Sequence, residues 1–124
     1  MSLAEETVMP IHSRYVFAAA MDIAPDREAL FHEVYETEHV PMLLEVPGVV
    51  SVARFRTRPV ELVIGGQRRT IVVEREPRYT ALYEIERPEV LTSDAWGAAV
   101  DRGRWPGEVR PYTTNRRHVL YERL

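Results

Sequence analysis

Within one short stretch, helical spacing gathers side chains suited to proton transfer or metal binding: His32, Glu36 and His39, with Glu38 beside the last. An imidazole titrates near neutrality, so His39 can act as a general acid or base. At a helix end the same ring can instead satisfy last-turn carbonyls, favoured by the negative end of the helix dipole. Continuing a 3.6-residue period carries Glu38 into the apolar stripe, where burial would raise its pKa and suit it to handle protons. The alternative is a solvated Glu38, or one paired with a sheet arginine such as Arg54. His32, Glu36 and His39, at i, i+4 and i+7, form a face with metal-ligand composition. Glu36 stands where a zincin helix carries its second histidine, however, and an exposed three-ligand face leaves a metal half open to water. A solvated polar face is the simpler reading, and no metal is expected.

Other residues could complete a pocket around His39. His118, in the last β-rich run, is a second candidate imidazole, and Arg54 is a candidate ligand contact. Tyr83, Trp96 and Tyr121, with Tyr79 and Trp105, are flat amphipathic groups that can line a cavity for an aromatic ring or serve as core and subunit contacts. The composition excludes several chemistries. There is no cysteine, so thiol nucleophiles and Cys-ligated metals are out, and all 16 basic residues are arginine, so a lysine Schiff base is out. No serine sits in a nucleophile-elbow context and no glycine-rich phosphate loop occurs, so no cofactor is expected. A net charge of -3 gives no footprint for a nucleic acid. No run approaches the ~20 apolar residues of a membrane span, and residues 1–10 read as a short disordered lead, so no membrane partner and a cytoplasmic location are expected.

The elements that must position these residues follow from periodicity. Residues 15–21 form an apolar run suited to a central strand. Pro25, Asp26 and Glu28 open a helix whose inward stripe is Leu30, Phe31, Val34 and Tyr35. Pro41 disfavours helical geometry at Val40, so the helix should end or kink there. After the turn Val46-Pro47-Gly48 comes a strand over 49–56, and then two β-rich runs flanking Gly65-Gly66 read as a hairpin arm over 57–77. A third core strand spans 79–85, a second helix opens at Pro88, residues 103–111 form a loop, and a last strand runs over 117–123. In that strand Val119 and Tyr121 face one side, and His118, Leu120 and Glu122 the other.

The order β-α-β, arm, β-α-β predicts one α+β domain over 11–124, a ferredoxin-like βαββαβ sheet with both helices on one face. The other sheet face is too apolar to be wholly wet, so a second copy of the chain is expected to cover it as a homodimer. His39-Val40-Pro41 followed by Pro47-Gly48-Val49 resembles the dimeric α/β-barrel superfamily, and within it the EthD-like branch. The resemblance covers most of residues 15–124, and the arm is longer than that branch leads one to expect. It implies a pocket between sheet and helices, or in the dimeric barrel. It also implies a small aromatic or polyketide-like ligand, and it includes both proton-shuffling enzymes and proteins without assigned activity. The expected function is a dehydration, isomerisation or cyclisation with His39 as acid/base and Glu38 as its carboxylate. Tyr83, Trp96, His118, Tyr121 and Arg54 would contact substrate. The alternative is a homodimer that binds without turnover.

Overall fold

The computed structural model describes residues 11–124; the expected lead over residues 1–10 lies outside them. Four antiparallel strands, β1 (Tyr15–Ile23), β2 (Val49–Arg56), β5 (Tyr79–Ile85) and β6 (Thr113–Glu122), form a sheet in the order β2-β5-β1-β6. That order and its antiparallel pairing are those of the ferredoxin-like fold, as the sequence pattern led us to expect. β5 alternates strictly, burying Tyr79, Ala81, Tyr83 and Ile85 towards the helices. Its register with β1 sets Phe17, Ala19 and Met21 on that same face. Above it lie α1 (Glu28–Val34), α2 (Val40–Leu44) and α3 (Asp94–Val100). Phe31, Val34, Leu43, Ile85 and Val109 are almost wholly removed from water at the centre of this layer. None of the described helices is long and apolar enough to cross a membrane.

Four boundaries differ from expectation, each for a local reason. The first helix does not stop at Val40. It continues through Pro41 because Tyr35–His39 forms a π turn in which the Val40 N–H donates to the Tyr35 carbonyl, five residues back. Proline lacks an N–H and its ring crowds the carbonyl four residues earlier, and a wider turn relieves both problems without ending the helix. Residues 103–111 are not an irregular loop. Trp105–Val109 makes a second π turn, and Arg110–Tyr112 a 3-10 turn. β6 starts at Thr113, four residues before the expected strand, since Thr113 and Thr114 pair with Ile23 and Asp22 across a bulge. The bulge holds Asn115 at a φ of 50°, with its side-chain amide donating to Asp22 Oδ2, and this break hides the alternation from a periodicity reading. The second helix also begins later than Pro88: a 3-10 turn, Pro88–Thr92, precedes Ser93, whose Oγ caps α3 by accepting from the Trp96 N–H.

Strands β3 (Val60–Ile64) and β4 (Gln67–Ile71) pair around Gly65 and Gly66, both at positive φ as a tight hairpin turn requires. All their residues are exposed. The root of this hairpin is pinned by the Arg117–Glu76 ion pair at 2.8 Å and by Asn115 donating to the Arg75 carbonyl. Arg117 belongs to the helix-free sheet face. There, with Glu76, Ala18, Ala20, Leu82, Val119 and Tyr121, it lines a hollow of about 190 Å³.

Candidate functional site

The π turn decides which side chain of the first helix enters the interior. From Val34 to His39 is five residues, one more than a regular helix needs to return to the same face, so His39 takes the inward direction that an unbroken period would give Glu38. His39 is only 5% exposed. Its ring stacks on Trp105 at 4.2 Å and 19°, and Tyr35 meets it edge-on at 5.1 Å. Nδ1 is buried and has no hydrogen-bond partner among the described residues. Burial, helped by the nearby Arg110 guanidinium, pushes the His39 pKa down to about 4, so the ring is neutral at neutral pH.

His39 opens onto a cavity of about 220 Å³ between the sheet and the helical layer. The sheet contributes Phe17, Tyr83 and His118; the helical layer contributes Tyr35, Trp96, Trp105 and Arg110. Phe17 and His118 lie parallel at 5.8 Å and 9°, and Trp96 stands edge-on to Tyr83 at 5.5 Å. The walls are therefore flat rings in two orientations, the surface on which a planar conjugated molecule packs well. Desolvation raises the pKa of both Tyr35 and Tyr83, so both phenols keep their protons as hydrogen-bond donors.

Four of the seven residues picked from the sequence meet here: His39, Tyr83, Trp96 and His118. Three do not. Glu38 is not in the apolar stripe. It turns to the rim, where the Arg104 backbone N–H donates to it at 2.9 Å and Arg104 Nε at 2.5 Å. Those bonds hold its carboxyl below the usual range, the reverse of the expected shift. Gly103, at a φ of 68°, closes against the same carboxylate.

Arg54 stacks on the Tyr35 ring at 4.4 Å, donates to His32 Nδ1 at 2.8 Å and pairs with Glu36. It lines a separate groove with His32, Glu36 and Tyr79 rather than the His39 cavity. Tyr121 projects from the helix-free face, because alternation along β6 sets it opposite His118. The metal-like face dissolves for the same reason that His39 turns inward. His32 is tied to Arg54, His39 is buried elsewhere, and no metal-binding group occurs among the described residues.

Tyr35, Trp105 and Arg110 were not singled out for this cavity from sequence, apart from Trp105 as a general pocket aromatic. Tyr35 reads as ordinary stripe, and a Trp-Pro-Gly run reads as loop. Only the second π turn shows that Trp105 and Val109 are buried while Arg110 lies at the cavity wall.

A crystal structure of an ethyl tert-butyl ether D (EthD) family protein from Bacillus halodurans matches this fold with a TM-score of 0.54 at 14% identity, over 89% of this chain and 99% of that one. No protein-family model and no curated protein matches the chain. At that identity the likeness is one of fold, the ferredoxin-like α+β arrangement described above.

Proposed function

We propose that the chain works as a homodimer whose cavity binds a small planar aromatic or polyketide-like molecule. His39 would take a proton from it in a dehydration, isomerisation or cyclisation. The observation that carries this reading is His39 Nδ1, buried without a partner among aromatic walls. An unsatisfied buried polar atom costs about 1–3 kcal/mol, and a ligand whose binding turns the ring to present that nitrogen restores the lost bond. A neutral imidazole in a low-dielectric recess is a weak base towards a free proton. It becomes a better one as negative charge develops on the molecule beside it, so the attraction grows as the proton moves. Such transfers need a positioned base and exclusion of water, which the ring-lined recess supports.

Binding without turnover is the second reading. It is favoured by the pairing of Glu38 with Arg104, which leaves no carboxylate among the described cavity-lining residues to complement His39. Deuterium uptake separates the two. With 2-tetralone, a benzo-fused ketone bearing an acidic C–H, the protein in heavy water should speed exchange at C1 above buffer, and His39→Gln should abolish the gain. Tight binding of such ketones with exchange no faster than buffer removes the catalytic reading and leaves the binding one.

The dimer is supported by the helix-free sheet face. Phe55 and Tyr121 are about half exposed there beside Ala18, Ala20, Leu82 and Val119. An exposed apolar face of this character suits a second copy of itself. The hairpin root joins that face through Glu76 and Arg117, so one partner subunit can cover both the sheet and the apolar side of the arm (Val60, Leu62, Ile64 and Ile71).

A further inference from the structure

Among the described residues no aspartate or glutamate lines the His39 cavity, although the chain as a whole is acidic. The one fixed charge that the described residues bring to it is the Arg110 guanidinium. Arg110 follows directly on the second π turn and its backbone N–H donates to the Trp105 carbonyl, so the segment that supplies the ring stacked on His39 also supplies the cation. The guanidinium is anchored through one nitrogen only. Nη2 donates to the Val100 carbonyl at 2.6 Å and meets Asp101 Oδ1 at 2.9 Å. Asp101 is largely in water, so this pair is weakly held and leaves the guanidinium able to take a second anionic partner. Nε and Nη1 have no partner among the described residues. The cavity therefore joins a held cation with unused donors to parallel ring stacks and to an imidazole lacking a partner at Nδ1.

Resting on the reading of this cavity as a binding site for a planar molecule, we propose that its ligand is an anion, a flat conjugated carboxylate or an acidic phenolate or enolate, whose negative oxygen is held by Arg110. The ring system lies among Phe17, Trp96 and Trp105, and the remaining edge of the ligand meets the His39 ring. Arg110 is thus the specificity-determining contact, and it distinguishes acids from neutral rings of the same shape. The physical basis is that a hydrogen bond between ionised partners, partly shielded from water, is about twice as strong as a neutral one, whereas ring packing does not sense charge. Burial, and secondarily this cation, disfavour protonation of His39.

The test is calorimetric titration of the full chain near neutral pH with 1-naphthoate and its neutral isostere 1-naphthamide. The wild type should bind the acid about tenfold more tightly or better, as one charge-assisted bond implies, and added salt should erode that preference. Arg110→Met, which keeps the aliphatic stem, should bring the ratio to within about twofold while leaving the amide affinity in place. Arg110→Lys should restore part of it. Melting curves identify any variant that fails to fold, and in that case the wild-type ratio and its salt dependence decide alone. Equal binding of acid and amide by the wild type overturns the anion assignment and leaves the ring-binding reading standing. A preference that survives in folded Arg110→Met also overturns it. Failure of both compounds to bind overturns both readings together.

Discussion

Acidification from about pH 7 to about pH 4.5 should weaken this fold by more than its carboxylates explain, and the excess should belong to His39. Its imidazole is buried against Trp105 and Tyr35 with a pKa of about 4, whereas the unfolded chain exposes it at the ordinary value near 6.5. Between those limits the unfolded state binds a proton that the folded state refuses, so stability rises with pH through that window and is complete above it. Taking the two values at face value, the loss from about pH 7 to about pH 4.5 is about 2.5 kcal/mol.

Glu28, Glu38 and Glu84 also have lowered pKa values and lose stability in acid, at the lower pH where carboxylates protonate. His32 is lowered by burial and Arg54. All four groups remain in His39→Gln, so the difference between wild type and variant isolates the one ring. Urea unfolding at a series of pH values should show that difference changing by about 2.5 kcal/mol, in favour of the variant as pH falls. Parallel pH profiles for the two proteins, or an NMR titration placing His39 near its ordinary value, would refute the argument that the ring is desolvated.

The other predictions concern packing, the rim and assembly. Leu43→Ala should cost about 2–5 kcal/mol in denaturant unfolding, because Leu43 is fully buried where the helix resumes after its π turn. Gly103→Ala should cost at least about 1 kcal/mol, since it forces a side chain into positive φ and its Cβ would collide with the Glu38 carboxylate. A lowered melting temperature checks it. Glu38→Gln should leave ligand affinity within about twofold of wild type, because the carboxylate serves Arg104 at the rim; a tenfold loss would return it to the site. Phe55→Glu combined with Tyr121→Glu should turn a dimer into a monomer in sedimentation, while the same variants of an already monomeric protein would leave its mass unchanged.

The residue order determined more of the architecture than of the site. Alternation in residues 79–85 and the apolar run at 15–21 specify strands buried towards a helical layer, because a period of two has only one way to meet a core. The same local rule assigns His118 and Tyr83 to a face of their strands, whereas Trp96, on a helix, was legible only as a flat amphipathic group. It also implied that Tyr121 must leave by the other face, a consequence that needed the strand register to become concrete. What tertiary structure alone decided was the direction of the first helix after Tyr35. Pro41 announces a disturbance, but a break and a π turn satisfy it equally well in a bare chain. The packing of Phe31, Val34 and Leu43 against the sheet keeps the helix going and takes up the extra residue in the turn between. That single residue sends His39 inward and Glu38 to Arg104, and no window of sequence around 35–41 contains the partner, more than sixty positions away, that receives the displaced carboxylate.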